Sequence, residues 1–144
     1  MPGPAFVPSP PGAVTPISGF PTAPNPGGGA VYAVGEQNGP DAEVLIQQFT
    51  VPAAATQVLL SFEMFVNDWS GVGPIVDPTG LNPGVVNQHA RVDLMLPGFP
   101  PFNTGAGVVN NYYIGVDALA PPNPYSPYVI DITPDVIRRF NTSQ

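Results

Sequence analysis

Residues 57–69 read QVLLSFEMFVNDW. Val58, Leu60, Phe62, Met64 and Val66 fall on one parity; Leu59, Ser61, Glu63, Phe65 and Asn67 fall on the other. Side chains alternate across a strand with period two, so an apolar parity beside a mixed one predicts an antiparallel strand with one buried face.

Working outward, residues 88–96 (QHARVDLML) repeat the pattern, Ala90, Val92, Leu94 and Leu96 alternating with His89, Arg91, Asp93 and Met95. Residues 43–51 (EVLIQQFTV) alternate well enough to place Leu45, Phe49 and Val51 on one face, which predicts another strand. Shorter strands are expected at 31–35 (VYAVG), 111–117 (NYYIGVD) and 128–132 (YVIDI). The intervals are turn-rich: EQNGPD at 36–41, a long loop at 71–87 with three X-Pro turns, a second at 97–107, and four prolines within 120–127. Thr133, Pro134 and Asp135 read as a helix start, a capping hydroxyl followed by proline at the first helical position and an acid in the first turn. That helix, 134–140, carries Arg138 and Arg139 near its C-terminal end, where cations suit the helix dipole. Short strands, long loops and almost no helix predict an all-β antiparallel sandwich or jelly roll.

The first 29 residues are of another kind. They hold 9 of the 22 prolines and 6 of the 16 glycines in the 144-residue chain. Proline fixes φ, forbids helix and restricts the residue before it, so residues 1–29 are expected to form an extended arm ahead of a single domain at 30–144. Fully drawn out as polyproline II, the arm would reach about 90 Å. Val14, Ile17 and Phe20 recur at the three-residue period of that conformation and would share one face.

Charge excludes two classes of partner. Ten acids stand against three arginines and no lysine, for a net charge of −7. Arg91, Arg138 and Arg139 cannot make the basic patch that nucleic-acid phosphates or anionic lipids require. The absence of cysteine removes thiol chemistry, disulfides and cysteine metal sites. The opening MPGPAFVPSPPGAV has neither the basic nor the apolar region of a secretory signal, and no apolar stretch nears the ~20 residues of a membrane span.

Six blocks carry a resemblance: YAVGEQN at 32–38, QFTV at 48–51, SFEMFVNDWSG at 61–71, NQHARVDL at 87–94, YIGVD at 113–117 and NPYSPYVIDIT at 123–133. Together they resemble exported bacterial β-sandwich proteins of the PEP-CTERM-associated type, with a domain similar to the galactose-binding jelly roll. The resemblance spans roughly residues 30–133 and rests most on FVNDWSG and NQHARVD. It implies a secreted, surface or matrix protein and a glycan-binding capacity. Members of that family also carry a signal peptide, a sorting tail and a further strand pair after the equivalent of Ile132, none of which is read in this chain. A sandwich without those strands leaves donors and apolar faces unpaired, to be covered by its own arm, another subunit's arm or a partner.

The mixed parities of the two clearest strands gather Glu63, Asn67, His89, Arg91 and Asp93. With Trp69, Tyr112 and Tyr113 they form a candidate ligand face, the aromatics offering sugar-stacking platforms. The plainer alternative is a solvated sheet face with Arg91 paired to Glu63 or Asp93, and loop aromatics, Tyr125 and Tyr128 included, that plug the ends of a sandwich. Calcium takes six to eight oxygens, which Glu36, Asn38, Asp41, Asp68 and Asp77 would contribute from loops; Asn and Asp are equally ordinary turn formers. No G-x-S-x-G occurs, zinc has one histidine and no cysteine to draw on, and nothing selects a carboxylate pair, so no catalytic residue is assigned. The expectation is a non-enzymatic structural or assembly protein, at a virion surface or outside cells, that self-associates or engages a partner subunit through its arm and an open sheet edge. A secreted, calcium-assisted glycan-binding module is the alternative.

Overall fold

The computed structural model describes residues 7–9, 14, 19–21, 32–35, 43–67, 90–115 and 122–138. Along these run six strands, β1 (Val7–Ser9), β2 (Tyr32–Val34), β3 (Leu59–Met64), β4 (Ala90–Met95), β5 (Val108–Gly115) and β6 (Ser126–Asp131), followed by a short π-helix, Pro134–Arg138. The architecture is all-β. The strands form three antiparallel two-stranded sheets, β1–β2, β3–β6 and β4–β5, rather than two larger layers.

The period-two reading of residues 57–69 is realised in β3. Leu60, Phe62 and Met64 are half-buried, whereas Leu59, Ser61 and Glu63 are exposed. β6 mirrors it, with Phe62 opposite Tyr128 and Leu60 opposite Ile130. The two rings stack with centroids 4.9 Å apart, a cross-strand aromatic pair of the kind that stabilises a sheet beyond its hydrogen bonds. Tyr113 on β5 meets Tyr128 edge-on at 5.7 Å, and this contact bridges the β4–β5 and β3–β6 sheets. Pro127 is tolerated in β6 because the strand has one ladder partner among the described residues and lies at a sheet edge.

Two expectations are corrected. Residues 43–51 form no strand; alternation makes a segment competent for a ladder, but a strand exists only against a partner edge. Of residues 1–29 the structure describes 7–9, 14 and 19–21: β1 pairs antiparallel with β2, Val7 opposite Val34, and a second antiparallel bridge joins Val14 to Pro21. The chain therefore reverses between Val14 and Pro21, with Gly19 at a φ of 70° inside that reversal, a geometry glycine adopts without steric cost. Finally, the Thr133 hydroxyl does not cap a helix. It accepts a 2.8 Å hydrogen bond from the Val58 amide, while the Ile132 amide donates to the Val58 carbonyl at 3.0 Å, so the β3–β6 ladder takes the group the helix would have used. The helical segment is π rather than α and starts from the Ile132 carbonyl, which accepts from the amides of Asp135 and Val136.

The described core sits where β6 runs into this helix. Ile132 and Val136 are its two buried apolar side chains, with Asn123 fully buried at 1% exposure. The loop between β4 and β5 is held by Asn103, whose Oδ1 accepts from the amides of Gly105 and Gly107, both at 3.0 Å. Gly107 lies against the Phe99 ring so closely that a Cβ there would fall 2.6 Å from its Cγ.

Candidate functional site

The polar residues singled out by the sequence divide between two sheets. The strands that carry them, β3 and β4, do not pair with each other: β3 takes β6 and β4 takes β5. The expected common face of Glu63, Asn67, Arg91 and Asp93 is thus not assembled by strand adjacency.

On the β4–β5 sheet, two register shifts shape the site. Val92 is opposite Tyr113 and Asp93 opposite Asn111, which leaves Tyr112 as an extra residue on β5; Val109 is extra in the same way between the partners of Leu94 and Met95. Such bulges sharpen the local twist and re-aim side chains. Arg91 donates from Nε to Oδ2 of Asp93 at 2.9 Å and from its terminal nitrogen to Oδ1 at 3.1 Å, a bidentate pair. Asn111 donates its amide to the same Oδ1 and to the Tyr113 carbonyl. Both side chains of the ion pair are only 13% exposed, so the face expected to be solvated is largely covered.

Asn110 and Tyr112, on the alternate positions of β5, reach a second centre. The Tyr112 hydroxyl donates to Oδ2 of Asp135 at 2.6 Å and the Asn110 amide donates to the same oxygen at 3.0 Å. Burial first, then the hydrogen bond to Asp135 and the charge of that carboxylate, push the Tyr112 hydroxyl above the ordinary tyrosine range. Asp135 was legible in the sequence only as an acid in a first helical turn; nothing local announces a tyrosine 23 residues upstream as its partner.

Glu63 is exposed on β3, opposite Pro127. Asn67 accepts the Asn123 amide at 2.7 Å, and the Asn123 side chain returns a 2.9 Å hydrogen bond to the Val66 carbonyl. This exchange pins the proline-rich segment before β6 to the end of β3, and Asn123 had no distinguishing signal in the sequence. Tyr113 is engaged by Tyr128, as is Phe65 by Tyr125, edge-on at 4.9 Å. Phe62, Phe65, Tyr113, Tyr125 and Tyr128 thus pack ring against ring, whereas Phe20, Phe49, Phe99 and Phe102 are exposed. His89, Trp69 and the proposed calcium ligands Glu36, Asn38, Asp41, Asp68 and Asp77 lie outside the described residues. Among the described residues no group of three acids or histidines is placed to hold a metal ion, and no helix is long and apolar enough to cross a membrane.

Chemically, then, Arg91, Asp93, Asn111, Tyr112 and Asp135 are committed to one another and to the backbone. They lock strand to strand and strand to helix. Compared with family models, curated proteins and solved structures, the chain matches none of them.

Proposed function

We propose that this chain is a non-enzymatic structural or assembly protein, a β-sandwich or jelly-roll subunit that joins its neighbours through its arm or an open sheet edge. Its setting is a virion surface, as a decoration protein, or an extracellular filament or matrix. The resemblance to exported β-sandwich proteins belongs to this reading and favours the extracellular setting.

One observation carries it: eleven large apolar side chains among the described residues are exposed. Ile132 and Val136 are buried, whereas Leu45, Ile46, Phe49, Leu59, Phe99, Phe102, Ile114 and Val129 are among the exposed. Val129, at 69%, and Leu59 stand on the outer face of β3–β6, which has no described layer over it. Scattered exposed apolar residues are normal on any surface; clusters on unpaired strands and open sheet faces are what subunit contacts cover. The polar clusters support the same reading, since their members are engaged internally rather than presented to a ligand.

Sedimentation of the full chain across a concentration series tests this. A multimer that dissociates on dilution, with a midpoint of thermal unfolding that rises with concentration, is the expected result. A monomer at every concentration, with unfolding independent of concentration, would overturn it.

A further inference from the structure

We propose that residues 44–51 are the seam through which two copies of this chain pair, strand against strand, antiparallel, about a two-fold axis at Gln47. The proposal rests on the assembly reading above and names the contact that reading leaves open.

The segment VLIQQFTV is rich in strand-forming residues and alternates, yet it forms no strand. No backbone hydrogen bond links it to another described residue. Residues 44–50 are all exposed, Leu45 at 71%, Ile46 at 65% and Phe49 at 49%. Unpaired backbone beside exposed apolar side chains is a template for strand addition.

Charge points to a second copy as the occupant. In a chain of net charge −7, residues 44–62 carry no charged side chain, so two acidic subunits can meet there without opposing like charges. Charge also sets the direction. Parallel in-register pairing would place Glu43 beside its own copy, roughly 5 Å away across the ladder. Antiparallel pairing about Gln47 puts Glu43 opposite Val51 and separates the two carboxylates by about 27 Å, well past the screening length at physiological salt.

Symmetry sets the register. A two-fold axis through an antiparallel pair requires one residue to oppose its own copy. Centred on Gln47, Leu45 faces Phe49 of the other copy twice, flanking a pair of glutamine amides that can hydrogen-bond to each other. The ladder then ends at Val51, and Pro52, which has no amide to donate, stays outside it. Centring on Gln48 would draw Pro52 into the ladder opposite Val44 and set Phe49 against Gln47. The first register sets Leu45 against Phe49 on both sides of the axis; the second sets Phe49 against Gln47 instead.

The chain has no cysteine, so single-cysteine variants of the full protein report the contact cleanly. Under mild oxidation Gln47→Cys should form a disulfide-linked dimer at least about tenfold faster than Gln48→Cys, whose copies sit two positions apart in the ladder and out of bonding reach. Leu45→Glu should lower the sedimentation mass of the otherwise unmodified chain. Equal slow cross-linking of both cysteine variants, or faster cross-linking of Gln48→Cys, overturns this seam. If the mass also survives Leu45→Glu, the seam is wrong while the assembly reading stands. A chain that is monomeric throughout overturns both.

Discussion

Oδ2 of Asp135 accepts a 2.6 Å hydrogen bond from the Tyr112 hydroxyl, and this contact fastens the bulged strand β5 to the π-helix that closes the described fold. The bulge makes it possible, because Tyr112 is the residue left without an opposite number on β4. Tyr112→Phe should therefore lower stability by about 1 kcal/mol, the usual net value of such a bond, in a denaturant titration. An unchanged midpoint would show that Asp135 is held without Tyr112.

The same contact has an alkaline signature. The fold resists ionisation of Tyr112, so an unfolded chain, with the ordinary value of 10.0, releases that proton first. Stability from this group is full below about pH 10 and declines as pH climbs further, since the unfolded state then binds fewer protons. Melting temperatures from pH 8 to 11 should fall more steeply in the wild type than in Tyr112→Phe. Superimposable profiles would count against the assignment.

At the other end of the pH scale Asp131 is the group to follow. Hydrogen bonds from Thr133, through its hydroxyl and its amide, and then from Gln57 hold its carboxyl below the ordinary 3.8. Its contribution is present above that value and is lost as pH falls through the lower, folded-state value. Asp131→Asn should accordingly flatten the acid limb of a stability–pH curve and leave the neutral-to-alkaline limb parallel to wild type.

Arg91 and Asp93 form a mostly covered pair whose members each lose their partner if the other is removed. Asp93→Ala strands the guanidinium and deprives the Asn111 amide of an acceptor, at a cost of about 2–3 kcal/mol. The double variant Arg91→Met with Asp93→Leu should be less destabilised than Asp93→Ala alone, because no unpaired charge remains. A double variant worse than the single would point to further partners of Arg91.

Gly107 offers a steric test. A methyl group there would lie 2.6–2.7 Å from the Cβ, Cγ and Cδ1 of Phe99, the root of the side chain rather than its free end, so the loop itself must shift. Gly107→Ala should cost about 1–3 kcal/mol, and Phe99→Ala in the same background should restore much of it. Gly107→Ala without effect on thermal unfolding would mean that the loop between β4 and β5 yields freely.

How much of this was legible beforehand depends on how local each feature is. The exposed and half-buried parities of β3 follow from side chains pointing alternately to opposite faces, a property of one strand that residues 57–69 display by themselves. The pairing of Arg91 with Asp93, two residues apart on one strand face, was likewise within reach. Composition alone, three arginines and no lysine against ten acids, argued against a basic patch. Partners were another matter. Residues 43–51 alternate as β3 does yet stay single, and the Thr133 hydroxyl, well placed by sequence to cap a helix, is claimed by Val58 from 75 residues away. Bulges at Val109 and Tyr112, and the aim of Tyr112 at Asp135, appear only once β4 and β5 are laid side by side. A strand's periodicity is written in its own side chains, but its hydrogen bonds belong half to another strand, and which edge arrives is decided by the path of the whole chain.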